Sequence, residues 1–200
     1  MTAAKPFIIT IVGAENSGKT SLAIFLADFF RCIWVPEYAR KYLASLDRPY
    51  DEKDLDAIAA GQWEWINAAV NDKSSASTLF QHLIDEIDSN VVVDKQLIID
   101  LIHFINVKVA EERRMVIADG GMLTMQMWSQ IKYGQVSPSL NAMVNEDITD
   151  LYILCRPTKK WTPEPWREAP RVLDRAWIYN QYLRELVIRK KEFFIVALMP

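Results

Sequence analysis

Apolar positions along the chain switch between continuous runs and helical spacing. Phe7-Ile8-Ile9-Thr10-Ile11-Val12 is a run of strand length, and Leu22, Phe25, Leu26 and Phe29 follow at the period of a helix. Cys32-Ile33-Trp34-Val35 predicts a short second strand that stops at Pro36. Leu55, Ile58, Ala59, Ile66, Ala69 and Val70 mark a helix over 51–70, and the polar stretch 71–77 predicts a loop. Residues 79–114 predict two more helices with a break at Ser89-Asn90. Met115-Val116-Ile117-Ala118 is a third strand that delivers Asp119 at its carboxyl end. The helix after it carries Met122, Met125 and Trp128, a stripe read as core packing. Leu151-Tyr152-Ile153-Leu154-Cys155 is a fourth strand and 193–198 a fifth. Between them 171–191 is helical, with Val172, Ala176, Tyr179, Leu183 and Leu186 on one face.

Uninterrupted apolar strands alternating with helices predict an α/β fold: a five-stranded parallel sheet covered by helices on both faces. Ligands in such folds bind beyond the carboxyl ends of the strands. The length of 200 residues fits one domain, with a helical insertion expected at about 74–110. A net charge of −3 argues against nucleic acid as a partner, while leaving room for a basic patch around a small anionic substrate. Cys32 and Cys155 are isolated and lack metal-ligand spacing, which predicts buried, reduced thiols. The apolar stretch 91–109 is interrupted by Asp94, Lys95, Asp100 and Lys108, so a buried helix is expected there and no membrane span. Residues 1–6 hold no long apolar run, and the cytosol is the expected compartment.

Strand one leads straight into Gly13-Ala14-Glu15-Asn16-Ser17-Gly18-Lys19-Thr20, followed by Ser21. The order strand, glycine-rich loop, helix is that of a phosphate-binding loop. Its glycines allow a tight turn in which successive N–H groups face phosphate oxygens, and the helix beginning near Ser17 adds its positive end. Lys19 is then expected on the β- and γ-phosphates of ATP, and the Thr20 hydroxyl on Mg²⁺. Asp119 is placed either to hold the same metal or to cap the following helix. Gly120 follows it, where motor ATPases often carry a second acid, and Met122 breaks the Asp-x-x-Gly pattern of GTPases. Those absences favour phosphoryl transfer to a small acceptor over hydrolysis-driven switching.

Pro36-Glu37-Tyr38-Ala39-Arg40 follows the second strand on the same rim. Glu37 could take the proton of an attacking hydroxyl while Arg40 holds the acceptor, or the two could form a plain surface ion pair. Residues 156–171 contain Pro157, Pro163, Pro165 and Pro170, which exclude a regular helix. This connection reads as a lid or as a surface connector. As a lid it would bring Arg167, with Arg171 and Arg175 in reserve, onto the transferred phosphate; Trp161 and Trp166 are anchors or stacking surfaces. His82 and His103 lie away from every motif.

In these motifs the chain resembles the nicotinamide riboside kinase domain of bacterial NAD-salvage proteins and related small phosphate-loop ATPases. The matching pieces are the loop 13–21, Glu37-Tyr38-Ala39-Arg40, Gln62, Asp119, Asp150-Leu151-Tyr152-Ile153-Leu154 with Pro157 and Trp161, and Tyr182-Leu183-Arg184-Glu185-Leu186. Gly121 stands where the family usually has a further acid, and Glu164-Pro165-Trp166-Arg167 differs from its usual lid sequence. The resemblance implies a phosphate-loop fold and an ATP- and Mg²⁺-dependent kinase. It implies catalytic Lys19, Glu37, Asp119 and Arg167, with the acceptor held by Glu37, Tyr38, Arg40 and Trp161. Alternatives are a kinase of another metabolite, or a weakly catalytic nucleotide-binding protein that docks a protein partner, or itself, through 74–110.

Overall fold

The computed structural model describes residues 5–72, 95–109, 114–158, 160–163, 167–168 and 171–198. Its strands are β1 (Phe7–Gly13), β2 (Ile33–Val35), β3 (Met115–Asp119), β4 (Leu151–Arg156) and β5 (Phe193–Ala197). They form one parallel sheet in the order β2-β3-β1-β4-β5. β1 is buried over its whole length because it lies at the centre with helices on both faces. Its register sets Ile11 beside Asp119 of β3 and Gly13 beside Cys155 of β4. Three strand ends therefore meet on one edge, directly under the phosphate-loop sequence.

The helices are α1 (Lys19–Phe30), α2 (Tyr38–Ala44), α3 (Glu52–Asn71), α4 (Lys95–Lys108), α5 (Met122–Tyr133), α6 (Pro138–Asn145) and α7 (Val172–Ile188). Ile11 and Ile153 share one core cluster with Leu22 and Leu26 of α1, Ile66 and Ala69 of α3, and Leu101 and Ile105 of α4. Val12 and Leu154, one residue along each strand, share a second cluster with Leu123 and Met127 of α5 and Ile178, Tyr182 and Leu186 of α7. A shift of one residue reverses the face of a strand, so these clusters are the two sides of the sheet. A third cluster joins Leu55, Ile58 and Ala59 of α3 to Met122 and Met125 of α5 and to Leu140 and Val144 of α6.

Cys32 and Cys155 are buried and unpaired with each other, and burial pushes the Cys32 thiol up to about 12. The expected insertion is described from Lys95 onward. There α4 sinks Ile98, Leu101 and Ile105 into the main core, and Phe104 packs on Phe194 of β5 at 5.2 Å. The expected break at Ser89-Asn90 lies outside the described residues. No described helix is long and apolar enough to cross a membrane.

Short helices α2 and α6 arise where no helix was expected. α6 begins on a local signal, the Ser137 side chain accepting from the Leu140 N–H at 3.1 Å with Pro138 in the first turn. The buried stripe of α7 also differs from expectation: it runs Arg175, Ile178, Tyr182, Leu186, turned by about one residue from the face read off the apolar residues. The guanidinium of Arg175 stacks on Trp161 at 5.7 Å, so a charged residue occupies a position that hydrophobicity alone assigns to solvent.

α2 buries no residue completely; Tyr38, Ala39, Tyr42 and Leu43 pack half-buried on the third cluster, and polar contacts add to this. Asp54, in the first turn of α3, is 3% exposed. Its carboxylate accepts from Tyr42 Oη at 2.9 Å, from both terminal nitrogens of Arg48 at 2.7 and 2.9 Å, and from the Asp51 N–H at 2.7 Å. Asp51 returns the bond to Asp54 N–H, completing a capping box. Arg48 and these hydrogen bonds hold the Asp54 carboxyl well below the usual carboxylate range. Its contribution is therefore fully present above about pH 4 and lost as pH falls below that value. Asp54→Ala should cost about 2 kcal/mol, seen as a drop of roughly 5 °C in the thermal midpoint at pH 7. That gap should narrow in melts recorded below about pH 4.

Candidate active site

Gly13 ends β1 at φ 145°, and a Cβ there would stand 2.6 Å from the Cys155 carbonyl oxygen. Only glycine can pass so close to β4 in that conformation. The chain then turns through Asn16 at φ 55° and Gly18 at φ 86° into α1. Asparagine tolerates the left-handed region better than most residues. Gly18, the N-cap, supplies no side-chain hydrogen bond, so the first amides of α1 face the loop uncapped. Lys19 folds over the loop and donates from Nζ to the Ala14 carbonyl at 3.1 Å. Ser17 is buried with its hydroxyl unbonded, and Ser21 sits part-buried in the first turn of α1.

Asp119 is wholly buried at the end of β3, and neither carboxylate oxygen has a hydrogen-bond partner. Burial, and after it the charge of Glu37, raises its pKa to about 6; Lys19, the Thr20 hydroxyl and Arg40 pull the other way. The Thr20 hydroxyl exerts this pull without reaching ordinary hydrogen-bond geometry. A buried carboxylate left so incompletely satisfied is costly by itself and fits a hard divalent cation, with Thr20 as the neighbouring oxygen donor.

Glu37 is the N-cap of α2, and its backbone is clamped from α3. Gln62, 1% exposed, accepts from the Tyr38 N–H at 2.7 Å and donates to the Pro36 carbonyl at 3.2 Å. Glu37 and Arg40 pair at 3.4 Å, as the ion-pair expectation has it, and both also line the cleft described below. Tyr38 points elsewhere. Its ring packs edge-on to Trp65 at 4.9 Å and covers Gly61, where a Cβ would meet it at 2.2 Å.

The connection after β4 lies against the phosphate loop. Arg167 donates to Asn16 Oδ1 at 3.0 Å and to the Thr162 carbonyl, and Asn16 donates to the Lys160 carbonyl. The Glu168 N–H donates to the Glu15 carboxylate at 3.0 Å, while Glu168 pairs with Lys132 of α5 at 2.8 Å. Trp161 lies between the guanidiniums of Arg167 and Arg175, at 5.8 and 5.7 Å. Arg171 is exposed and paired with Asp174 at 2.6 Å. Pro165, Trp166 and Pro170 lie outside the described residues.

These parts enclose a cleft of about 700 Å³, counted out to its open mouth. One part of its lining is charged: Glu15, Lys19, Glu37, Arg40 and Arg167, with Asn16. The other is apolar, from Leu43, Tyr50, Leu55, Ile58, Met125 and Trp128, with Thr124 also on the wall. Sequence reasoning missed Tyr50 and Thr124, which belong to no motif, and read Met125 and Trp128 as core alone. Spacing gave one available hint, since Thr124, Met125 and Trp128 share the first two turns after Asp119.

Sheet order, loop and cleft define a P-loop nucleotide-binding fold of the kinase type. Residues 8–82 and 94–198 match the family described as AAA domain (AAA_28), and the chain belongs to that family. It is 24% identical over 199 residues to the trifunctional NAD biosynthesis/regulator proteins NadR of Salmonella typhimurium and Escherichia coli K12; this spans 96% of the chain but 39% of those proteins. Among solved structures, a NadR protein in complex with NAD and AMP-PNP superposes with a TM-score of 0.64 at 16% identity, covering 95% of this chain and 43% of that one. A NadR protein in complex with NR gives 0.63 at 15% over the same shares. Thymidylate kinase from Ehrlichia chaffeensis gives 0.53 at 12%, covering 97% and 88%.

Lys19 touches only its own loop through its ammonium, whereas Gly13 has the Cys155 backbone against it. In thermal melts without ligand, Lys19→Ala should match the wild type within about 2 °C, and Gly13→Ala should melt lower by about 5 °C or more.

Proposed function

We propose that the protein is an Mg²⁺·ATP-dependent kinase that phosphorylates a hydroxyl of a small nucleoside-like molecule, with nicotinamide riboside as the foremost acceptor. One observation carries this reading: Lys19 of the phosphate loop, the Glu37 carboxylate, Arg167 and an apolar wall all face a single cleft. The NadR structures with NR and with AMP-PNP, and the thymidylate kinase fold, support it as analogues.

The backbone amides of 13–20 bind the phosphate chain, and Lys19 exchanges the Ala14 carbonyl for β- and γ-phosphate oxygens. Thr20 and Asp119 would hold Mg²⁺, which when bound would neutralise charge on the phosphate chain. Gln62 fixes the backbone on both sides of Glu37 and so aims its carboxylate. As the acceptor oxygen bonds to the γ-phosphorus, the bond to the β–γ bridging oxygen breaks and ADP leaves. The hydroxyl proton passes to Glu37. Arg167, already hydrogen-bonded to the loop through Asn16, offsets charge on the transferred group, and the connection that carries it keeps water out. The aromatic and aliphatic wall takes a planar base. A purely regulatory role with docking through 74–110 has less support: in the described part of that region, α4 turns Ile98, Leu101 and Ile105 into the core and leaves Ile99 and Val107 exposed.

The test is a nucleoside panel assayed for acceptor-dependent ADP release. At least one nucleoside should raise ADP release well above the acceptor-free rate. Glu37→Gln should slow that turnover by about 10²-fold while leaving ATP binding intact. Panel-wide inactivity of a protein that binds Mg²⁺·ATP would remove the kinase reading, and an unchanged rate in Glu37→Gln would remove its base.

A further inference from the structure

Two buried hydroxyls beside the cleft are incompletely satisfied. Thr124, in the first turn of α5, is 1% exposed and lines the cleft; Tyr182 of α7 is 0% exposed. Among the described residues, neither Thr124 Oγ1 nor Tyr182 Oη reaches ordinary hydrogen-bond geometry with a partner. They are nevertheless close enough to interact: burial pushes the Tyr182 phenol upward, the Thr124 hydroxyl pulls it back, and the charges of Glu37 and Glu15 add to the rise. Valine and phenylalanine would fill the same volumes without leaving buried polar atoms unsatisfied, so both hydroxyls lower the stability of the ligand-free protein. A cost of this kind at a cleft wall points to a ligand that removes it.

Direction follows from the chemistry of the pair. The Tyr182 phenol has the Thr124 hydroxyl as its hydrogen-bonding neighbour, and its ring lies in a cluster with apolar Val12, Leu123 and Leu154. That leaves the Thr124 hydroxyl hydrogen for an oxygen in the cleft. Thr124 lines the same cleft as its helix neighbours Met125 and Trp128 of the apolar wall and as Glu37 of the charged lining. A nucleoside with its base on that wall and its reacting hydroxyl at Glu37 has its sugar between them. We propose that Thr124, backed by Tyr182, holds a secondary hydroxyl of the acceptor's sugar and so selects ribosides over deoxygenated analogues. This rests on the kinase reading above, and Thr124 is a specificity residue that takes no part in proton transfer.

The experiment compares wild type, Thr124→Val and Tyr182→Phe in thermal melts and in calorimetric titrations. Ligands are Mg²⁺·AMP-PNP alone, and then nicotinamide riboside, adenosine and 2′,3′-dideoxyadenosine on the AMP-PNP complex. Both variants should melt at or above the wild-type midpoint and bind Mg²⁺·AMP-PNP as the wild type does. Thr124→Val should bind the preferred riboside about tenfold more weakly, Tyr182→Phe should show a smaller loss, and neither should change binding of the dideoxynucleoside. Equal losses for riboside and dideoxynucleoside, a loss in AMP-PNP binding, or a lowered midpoint would each assign the pair a different role and overturn the proposal. Wild-type riboside binding that both variants retain overturns it alone. A wild-type protein that binds AMP-PNP but no nucleoside overturns the kinase reading, and this inference with it.

Discussion

The closeness of Gly13 to the Cys155 carbonyl governs the rest of the molecule. With no side chain at 13, β1 can lie against β4 to its last residue and then turn at once, at a φ of 145°. That turn sends the chain through Asn16 and Gly18 into α1 with its first amides uncapped, and it places Lys19 above the strand ends. The β1–β3 register brings Asp119 to the same edge. An uncapped helix start, a buried carboxylate and a loop-bound ammonium are thus brought together by one close backbone approach.

Around this edge the protein concentrates groups that it leaves poorly satisfied. Asp119 lacks hydrogen bonds, Ser17 and Thr124 keep unbonded hydroxyls, and Lys19 has only a backbone carbonyl. Elsewhere polar residues are bound tightly, as in the Asp54 network and the Gln62 clamp. The contrast is one of preorganisation: the surroundings are rigid, so that the unsatisfied groups stay aimed where ligand atoms would complete them.

Much of this was legible in the sequence because it rests on local pattern. The phosphate loop is a contiguous motif, and buried strands announce themselves as apolar runs. Helix α2 was not legible: it is short, buries no residue fully, and its support from Asp54 and Gln62 comes from a different helix. Arg175 misled the reading of α7 because a guanidinium stacked on Trp161 is buried without being apolar. Tyr38 adjoins Glu37 in the chain, yet the helix turns its ring onto Gly61 and Trp65. Thr124 carried no motif; only the fold brings it across from Glu37. Strand order was likewise beyond reach, since pairing of β1 with β4 joins residues more than a hundred positions apart.

The central claim is that the uncapped amides after Gly13, together with Lys19, grip a triphosphate with a metal at Asp119. Isothermal calorimetry of ATP titrated into the protein, with and without Mg²⁺, tests it most directly. The account predicts saturable one-to-one binding that strengthens when Mg²⁺ is present and disappears in Lys19→Ala. Absence of heat with every purine triphosphate, or binding that Lys19→Ala leaves unchanged, would contradict it.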